Sequence, residues 1–248
     1  MCAFLAEYAS WLAGCGATCI RLEKNLGRIV ATFGMSVEIA VMPRHIHLSV
    51  WDAAHTEVVT AISSAKAIPI SFDINTRLSR LSWDIADRHC DFAGAVRQLQ
   101  EITRPGRQNK FLLIAVVSLA NAAFCRLFGG DWPAMAVVGL ATAAGFWLKS
   151  EMLGRHFDLR LTVFVCAFVS AVLSAAAILF SLGTTPLTAI ATSVLYLVPG
   201  IPFLNSFSDL IYRHYICSIS RFFDAAVITC CLSAGLCAAM LLMRAGMF

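Results

Sequence analysis

At 248 residues, with 59% hydrophobic against 14% charged residues, a mean hydropathy of +0.75 and a formal net charge of +4, the chain is too apolar for a soluble globular protein. It carries no GxxxxGK[ST] phosphate loop and no nucleic-acid-binding motif, which argues against ATP-driven work by this chain and against nucleic acid as a partner. Residues 1–110 hold 12 of the 19 Lys and Arg, whereas 111–148, 161–204 and 222–243 hold almost no charge, so the chain divides into a water-facing and a lipid-facing part.

In chain order, Leu5, Tyr8, Leu12, Cys15, Cys19, Leu22, Leu26, Ile29 and Phe33 recur by threes and fours, the stripe of a long amphipathic helix, with Glu7, Lys24, Asn25 and Arg28 on its other faces. Glu7 interrupts the first apolar stretch and no basic segment precedes it, which argues against a cleaved signal peptide. Gly14 and Gly16 predict close packing or a break, and Gly34 a C-cap. The period then changes to two. Val37, Ile39 and Val41, then Ile46, Leu48 and Val50, predict strands turning at Pro43-Arg44, and Val58–Ile62 a third strand after the turn at Asp52–His55. Helical spacing returns from an N-cap at Asp73 or Asn75, and a short helix covers Phe92–Ile102. Residues 1–105 are thus expected to form a cytosolic α+β domain, followed by a basic linker over 106–110.

Residues 111–248 are expected to form a bundle of about five transmembrane helices, at Phe111–Phe128, Pro133–Leu148, Leu161–Leu182, Pro186–Leu204 and Phe222–Met243, with Trp132 and Trp147 as interfacial anchors. The segments between spans one and two and between spans three and four carry no Lys or Arg. With the others, 17 of 19 basic residues fall on one side, which the positive-inside rule makes cytoplasmic, leaving the C-terminus outside. Ten cysteines without a CxxC pair read as small, reduced core residues.

The candidate functional residues concentrate in span four. Pro199, Gly200 and Pro202 predict a break or kink in the helix there, or else its simple end at the cytoplasmic interface, and broken helices expose backbone dipoles that hold ions and carboxylates in secondary transporters. Asn205, Asp209 and Arg213 follow at intervals of four, which predicts one shared face and an Asp209–Arg213 ion pair, either a solvated surface pair or part of a polar path. Arg126 reads as a snorkelling residue, Asn121 as an interhelical hydrogen-bonding group and Asp224 as a complement to the dipole of span five. His45-x-His47 is the one metal-like pair, without an evident third ligand, so neither a metal nor a cofactor is expected.

Gly14–Glu23 (GCGATCIRLE), the Phe128-Gly129-Gly130-Asp131 turn, and Leu197–Leu210 (LVPGIPFLNSFSDL) followed by Arg221 together resemble the N-terminal half of the threonine/serine exporter family, ThrE, and its split, YjjP-like type. The resemblance covers nearly the whole chain. It implies an inner-membrane exporter of small carboxylates, threonine and serine or succinate, that works with a small YjjB-like membrane subunit in the lipid bilayer, with homo-oligomerisation left open. Matched positions are Arg21, Glu23, Gly129, Gly130, Pro199, Gly200, Asn205 and Asp209. The expected substrate path is Pro199, Gly200, Asn205, Asp209, Gly129, Gly130 and Asp131, with Arg21 and Glu23 as a motif of the cytosolic domain. The alternative reading is a non-transporting membrane scaffold or sensor.

Overall fold

The structure is a computed structural model that describes residues 1–52, 54–104, 106, 109–179 and 183–245. In chain order its elements are α1 (Cys2–Gly14), α2 (Cys19–Thr32), β1 (Ser36–Val41), β2 (His45–Trp51), β3 (Val58–Ser64), α3 (Phe72–Ala86), α4 (Phe92–Ile102), α5 (Lys110–Leu127), α6 (Trp132–Gly154), α7 (Leu159–Leu179), α8 (Pro186–Ser193), a 3-10 turn (Leu195–Leu197), α9 (Gly200–Ile211) and α10 (Tyr215–Ala245). Packing gathers them into two units, Met1–Gly106 with Ile201–Phe223 and Arg107–Gly200 with Asp224–Phe248. The sequence boundaries place 201–223 with the membrane bundle; polar bonds described below tie it to the first unit.

In the first unit, Leu5, Tyr8, Leu12, Cys15, Leu22, Leu26 and Ile29 of the stripe are buried in a single core, but on two helices rather than one, and Phe33, the last of the stripe, is exposed. The break is at Gly16, which has φ +89. The N–H of Ala17 donates to the Leu12 carbonyl and that of Gly16 to the Ala13 carbonyl, the paired bonds of a helix end that needs a left-handed residue. Gly34 closes α2 in the same way, with the Met35 N–H on the Val30 carbonyl.

The sheet has the order β1-β2-β3, antiparallel throughout, with Ile39 opposite Leu48 and Leu48 opposite Ala61. Ile46, Leu48 and Val50 all point into the core, as a period of two demands, and each contributes about 1.5–3 kcal/mol through burial. The N-cap of α3 is Ser71, whose hydroxyl accepts the Ile74 N–H, rather than Asp73 or Asn75. Asp91 caps α4. In the linker, Asn109 caps α5, while Pro105, Arg107 and Gln108 lie outside the described residues.

In the second unit the polarity of packing inverts. The buried face of α6 is Ala134, Val138, Ala141, Thr142 and Gly145, and the buried positions of α7 include Cys166, Ala167, Ser170, Ala171 and Ser174. Large apolar side chains point outward instead: Phe111 is 82% exposed, Leu119 73% and Leu140 74%. Small and hydroxyl-bearing residues inside with bulky hydrocarbon outside is the arrangement expected where the solvent is lipid. Here α6 packs against α5, α7 and α8. Asn121 donates to Thr142 Oγ1 at 2.6 Å and to the Thr192 carbonyl at 3.2 Å, the interhelical role expected of it.

Among the described residues two helical segments are long and apolar enough to cross a membrane, Lys110–Leu127 and Tyr215–Met243. The broken pair Pro186–Leu197 and Gly200–Ile211 makes a third if it is one span. Five spans were expected. Of the other two, α6 carries Lys149 and Glu151 near its end, and the apolar stretch of α7 runs over Leu159–Ala175, with the end of the predicted span, 176–182, outside the residues compared. Asp224 lies inside α10 and not in its first turn. All ten cysteines are free thiols; Cys15, Cys19, Cys125, Cys166 and Cys217 are buried, whereas Cys230 and Cys237 are exposed and not part of a core.

Candidate functional site

The helix break falls where the prolines require it: α9 starts at Gly200, after Pro199, which has no N–H to continue the preceding turn. The helix α9 ends at Ile211. Arg213 then takes a left-handed backbone, φ +67, and the His214 N–H returns to the Asp209 carbonyl at 2.8 Å. This closure turns Arg213 off the helical face. Among the described residues it forms no ion pair, so the expected Asp209–Arg213 pair is corrected.

The partner of Asp209 is Arg221, in the second turn of α10, with Nη1 3.1 Å from Oδ2. Asp209 is 0% exposed and Arg221 25%. The other carboxylate oxygen, Oδ1, accepts the Cys19 backbone N–H at 2.9 Å. Cys19 opens α2, whose N-cap Thr18 makes no side-chain capping bond. A carboxylate distant in sequence therefore fills the capping role and meets the positive end of the helix dipole.

Two more bonds fasten the same turn. Asn205 Nδ2 donates to the Gly16 carbonyl and Arg221 Nη2 to the Ala17 carbonyl, each at 2.8 Å. One turn farther along α2, Glu23 lies 3.5 Å from His214 Nε2. The residues of GCGATCIRLE and of LNSFSDL, separated by almost the whole chain, thus form one knot, with Gly16, Asn205, Asp209 and Arg221 at its centre. The Cys19 thiol sits beside it, and a hydrogen bond with the Cys217 thiol together with burial pushes its pKa well up, so it stays protonated. In this knot Oδ2 of Asp209 and Nη1 of Arg221 are close enough to attract but lack hydrogen-bond geometry with any neighbour among the described residues.

Gly16 is expected to tolerate no side chain. Replacing it by Ala costs about 1–2 kcal/mol for the left-handed backbone alone, and the new Cβ would lie 3.1 Å from two Ile70 side-chain carbons. A lowered melting temperature of purified G16A measures this.

The remaining site residues serve another turn, within the second unit. Gly129 (φ +84) closes α5, with the Gly130 N–H on the Cys125 carbonyl at 2.9 Å. A Cβ on Gly130 would collide with Cys125. Asp131 caps α6 through the Ala134 N–H at 2.9 Å and also accepts the backbone N–H of Thr184. Those two N–H groups, Thr184 first, hold its carboxyl below the usual carboxylate range. Arg126, expected to snorkel, donates to the Gly130 carbonyl at 3.1 Å and lies 5.5 Å from the Trp132 ring centroid.

Arg221 was visible in the sequence only as the end of a motif, and His214 and Cys19 not as site residues. Helical spacing relates residues within one helix and is silent across a turn such as Arg213-His214. His45 is 3.2 Å from the Ser64 hydroxyl across the sheet, and no group of three His, Cys, Asp or Glu suited to a metal ion occurs among the described residues.

With that knot in view, comparison with known proteins becomes informative. Residues 3–243 match ThrE, described as "Putative threonine/serine exporter". The chain belongs to the ThrE family. Membership places it among membrane transporters and not among enzymes. It is similar to the "Probable succinate transporter subunit YjjP" of Klebsiella aerogenes, with 26% identity over 94% of this chain and 90% of that protein. It is also similar to the protein of the same name from Escherichia coli K12, with 28% identity over 58% of this chain and 57% of that protein. No solved structure matches. The ThrE match runs through both units and includes every residue of the knot.

Proposed function

We propose that this chain is one subunit of a secondary exporter of small carboxylate metabolites, succinate or threonine and serine, and works with a small YjjB-like membrane subunit. The observation that carries the reading is the family match along 3–243, and the inverted packing of the second unit supports it. The names of the two YjjP relatives favour succinate, and the word "subunit" in them favours a partner.

In this reading the membrane is the inner membrane and the bundle has five spans, Phe111–Phe128, Pro133–Leu148, Leu161–Leu182, Pro186–Leu204 and Phe222–Met243. Residues 1–105 form a cytosolic domain, by the placement of 17 of 19 basic residues, and the C-terminus is outside. The parts proposed to meet substrate are the break at Pro199–Gly200 and the polar group of Asn205 and Asp209. Asp209–Arg221 is the charged element: a substrate carboxylate competes with Asp209 for the Arg221 guanidinium, which the loose geometry of the pair leaves open to exchange. Gly129, Gly130 and Asp131 are proposed to fix the turn between α5 and α6. Arg21 and Glu23 act from the cytosolic domain.

The test is in cells lacking their own exporters. Co-expression of this chain with its small partner is expected to raise external and lower internal succinate, or threonine and serine. Expression of either component alone should leave both pools unchanged. Unchanged pools with both components assembled in the membrane would contradict the proposal.

A further inference from the structure

The geometry points to a binding site for a small dicarboxylate in the groove between α2 and α3, separate from the Asp209–Arg221 pair. The groove has a volume of about 470 Å³ and is lined by Thr18, Arg21, Lys24, Arg28, Ser79 and Trp83, among others. That is within the range of pockets that hold metabolite-sized ligands, about 300–1,000 Å³.

The three cations recur at i, i+3 and i+7 of α2, so one helical face presents them all. A run of charge on a helix is usually a solvated face, with its charges answered by carboxylates nearby. Here no carboxylate lies within 4.0 Å of any of the three among the described residues. Nor are the arginines loose. Arg21 donates to Asn75 Oδ1 at 2.8 Å. Arg28 donates to Asn25 Oδ1 at 3.1 Å and to the Ser82 hydroxyl, and its guanidinium stacks 3.7 Å from the centroid of Trp83. Asn25 is held in turn by Ser79 at 3.1 Å. These bonds use part of each guanidinium fork and leave other N–H groups without a partner among the described residues, so two fixed cations face the groove at little further entropic cost.

The spacing selects the ligand. Arg21 and Arg28 stand seven residues apart, about 10 Å along the helix at 1.5 Å per residue. A single phosphate or a single carboxylate meets one end only, whereas a four-carbon dicarboxylate presents charge at both ends, with Lys24 between. A zwitterionic amino acid would set its ammonium group against a cationic wall that offers no carboxylate. That this ligand is also the exported solute rests on the exporter reading; the site itself does not.

Equilibrium binding of labelled succinate to the purified full chain in detergent tests the inference, with threonine and inorganic phosphate as comparison ligands. Lys24→Gln is the main variant, because among the described residues the ammonium group of Lys24 makes a 5.9 Å approach to the Tyr212 ring and no hydrogen bond or ion pair, so its loss should leave the melting temperature unchanged. Arg21→Gln is the second. Succinate is expected to bind saturably, more tightly than threonine or phosphate, and each variant to weaken it about tenfold. No saturable succinate binding, equal binding of threonine, tighter binding of phosphate, or wild-type binding by both variants would overturn the site. Succinate binding by a chain that moves no solute even when assembled with its small partner would refute the exporter and leave the site standing; solute export without such binding would do the reverse.

Discussion

Asp209→Ala is expected to lower the stability of the protein by about 3–5 kcal/mol, the usual consequence of removing one partner of a buried ion pair. The substitution leaves Arg221, three-quarters buried, without its counter-charge, and it leaves the first N–H of α2 without an acceptor. Arg221→Met is expected to cost a similar amount, because Asp209 is then a wholly buried, unpaired carboxylate. The double variant Asp209→Leu, Arg221→Met should recover part of the loss, since an apolar pair removes both desolvation costs. Thermal or denaturant unfolding of the four proteins in detergent gives the cycle. Additive losses would show that the two side chains do not depend on each other. Transport separates structure from function: the double variant is expected to fold and not to export. Normal export by it would restrict the pair to holding the Gly16 turn.

Gly235→Val should be the most damaging single change in the second unit. The Cβ of any residue at 235 would strike the Phe164 backbone carbonyl of α7, with Ala167 Cβ at 3.0 Å and the Phe168 nitrogen at 3.2 Å. Backbone cannot swing aside as a flexible side chain can, so the helices α7 and α10 must part. Inserting even one or two methyl groups into a packed interior costs about 1–3 kcal/mol, and here each ångström of separation also loosens Ala167 and Leu232, which share a core cluster. Loss of the monodisperse folded species in detergent, at unchanged membrane insertion, is the expected result. Wild-type melting would mean that α7 and α10 do not pack through Gly235.

How much of this was readable in the sequence varies with the kind of force involved. Burial follows periodicity, so the stripe from Leu5 to Ile29 and the inward face of Ile46, Leu48 and Val50 were legible. The division of the stripe at Gly16 was only half legible, because a glycine marks a permissible left-handed turn without requiring one. The cap of α3 was missed by a few residues, since Ser71, Asp73 and Asn75 all have side chains that can accept a backbone N–H. For the membrane part, hydropathy located the apolar segments, but the inverted packing of α6, with Ala and Thr inward and Leu140 outward, emerges only once the helices are assembled. The knot was the least legible part. Asp209 and Asn205 stood out as polar residues beside a helix break, yet their partners, Arg221 and the carbonyls of Gly16 and Ala17, come from segments that no local rule connects.

The family assignment leads to solute flux, and purified components test it most directly. Proteoliposomes containing this chain and the proposed small membrane partner, loaded with labelled succinate, threonine or serine, should release at least one of these solutes down its gradient, and vesicles with either component alone should not. Retention of all three by vesicles in which both components are folded and assembled would contradict the account.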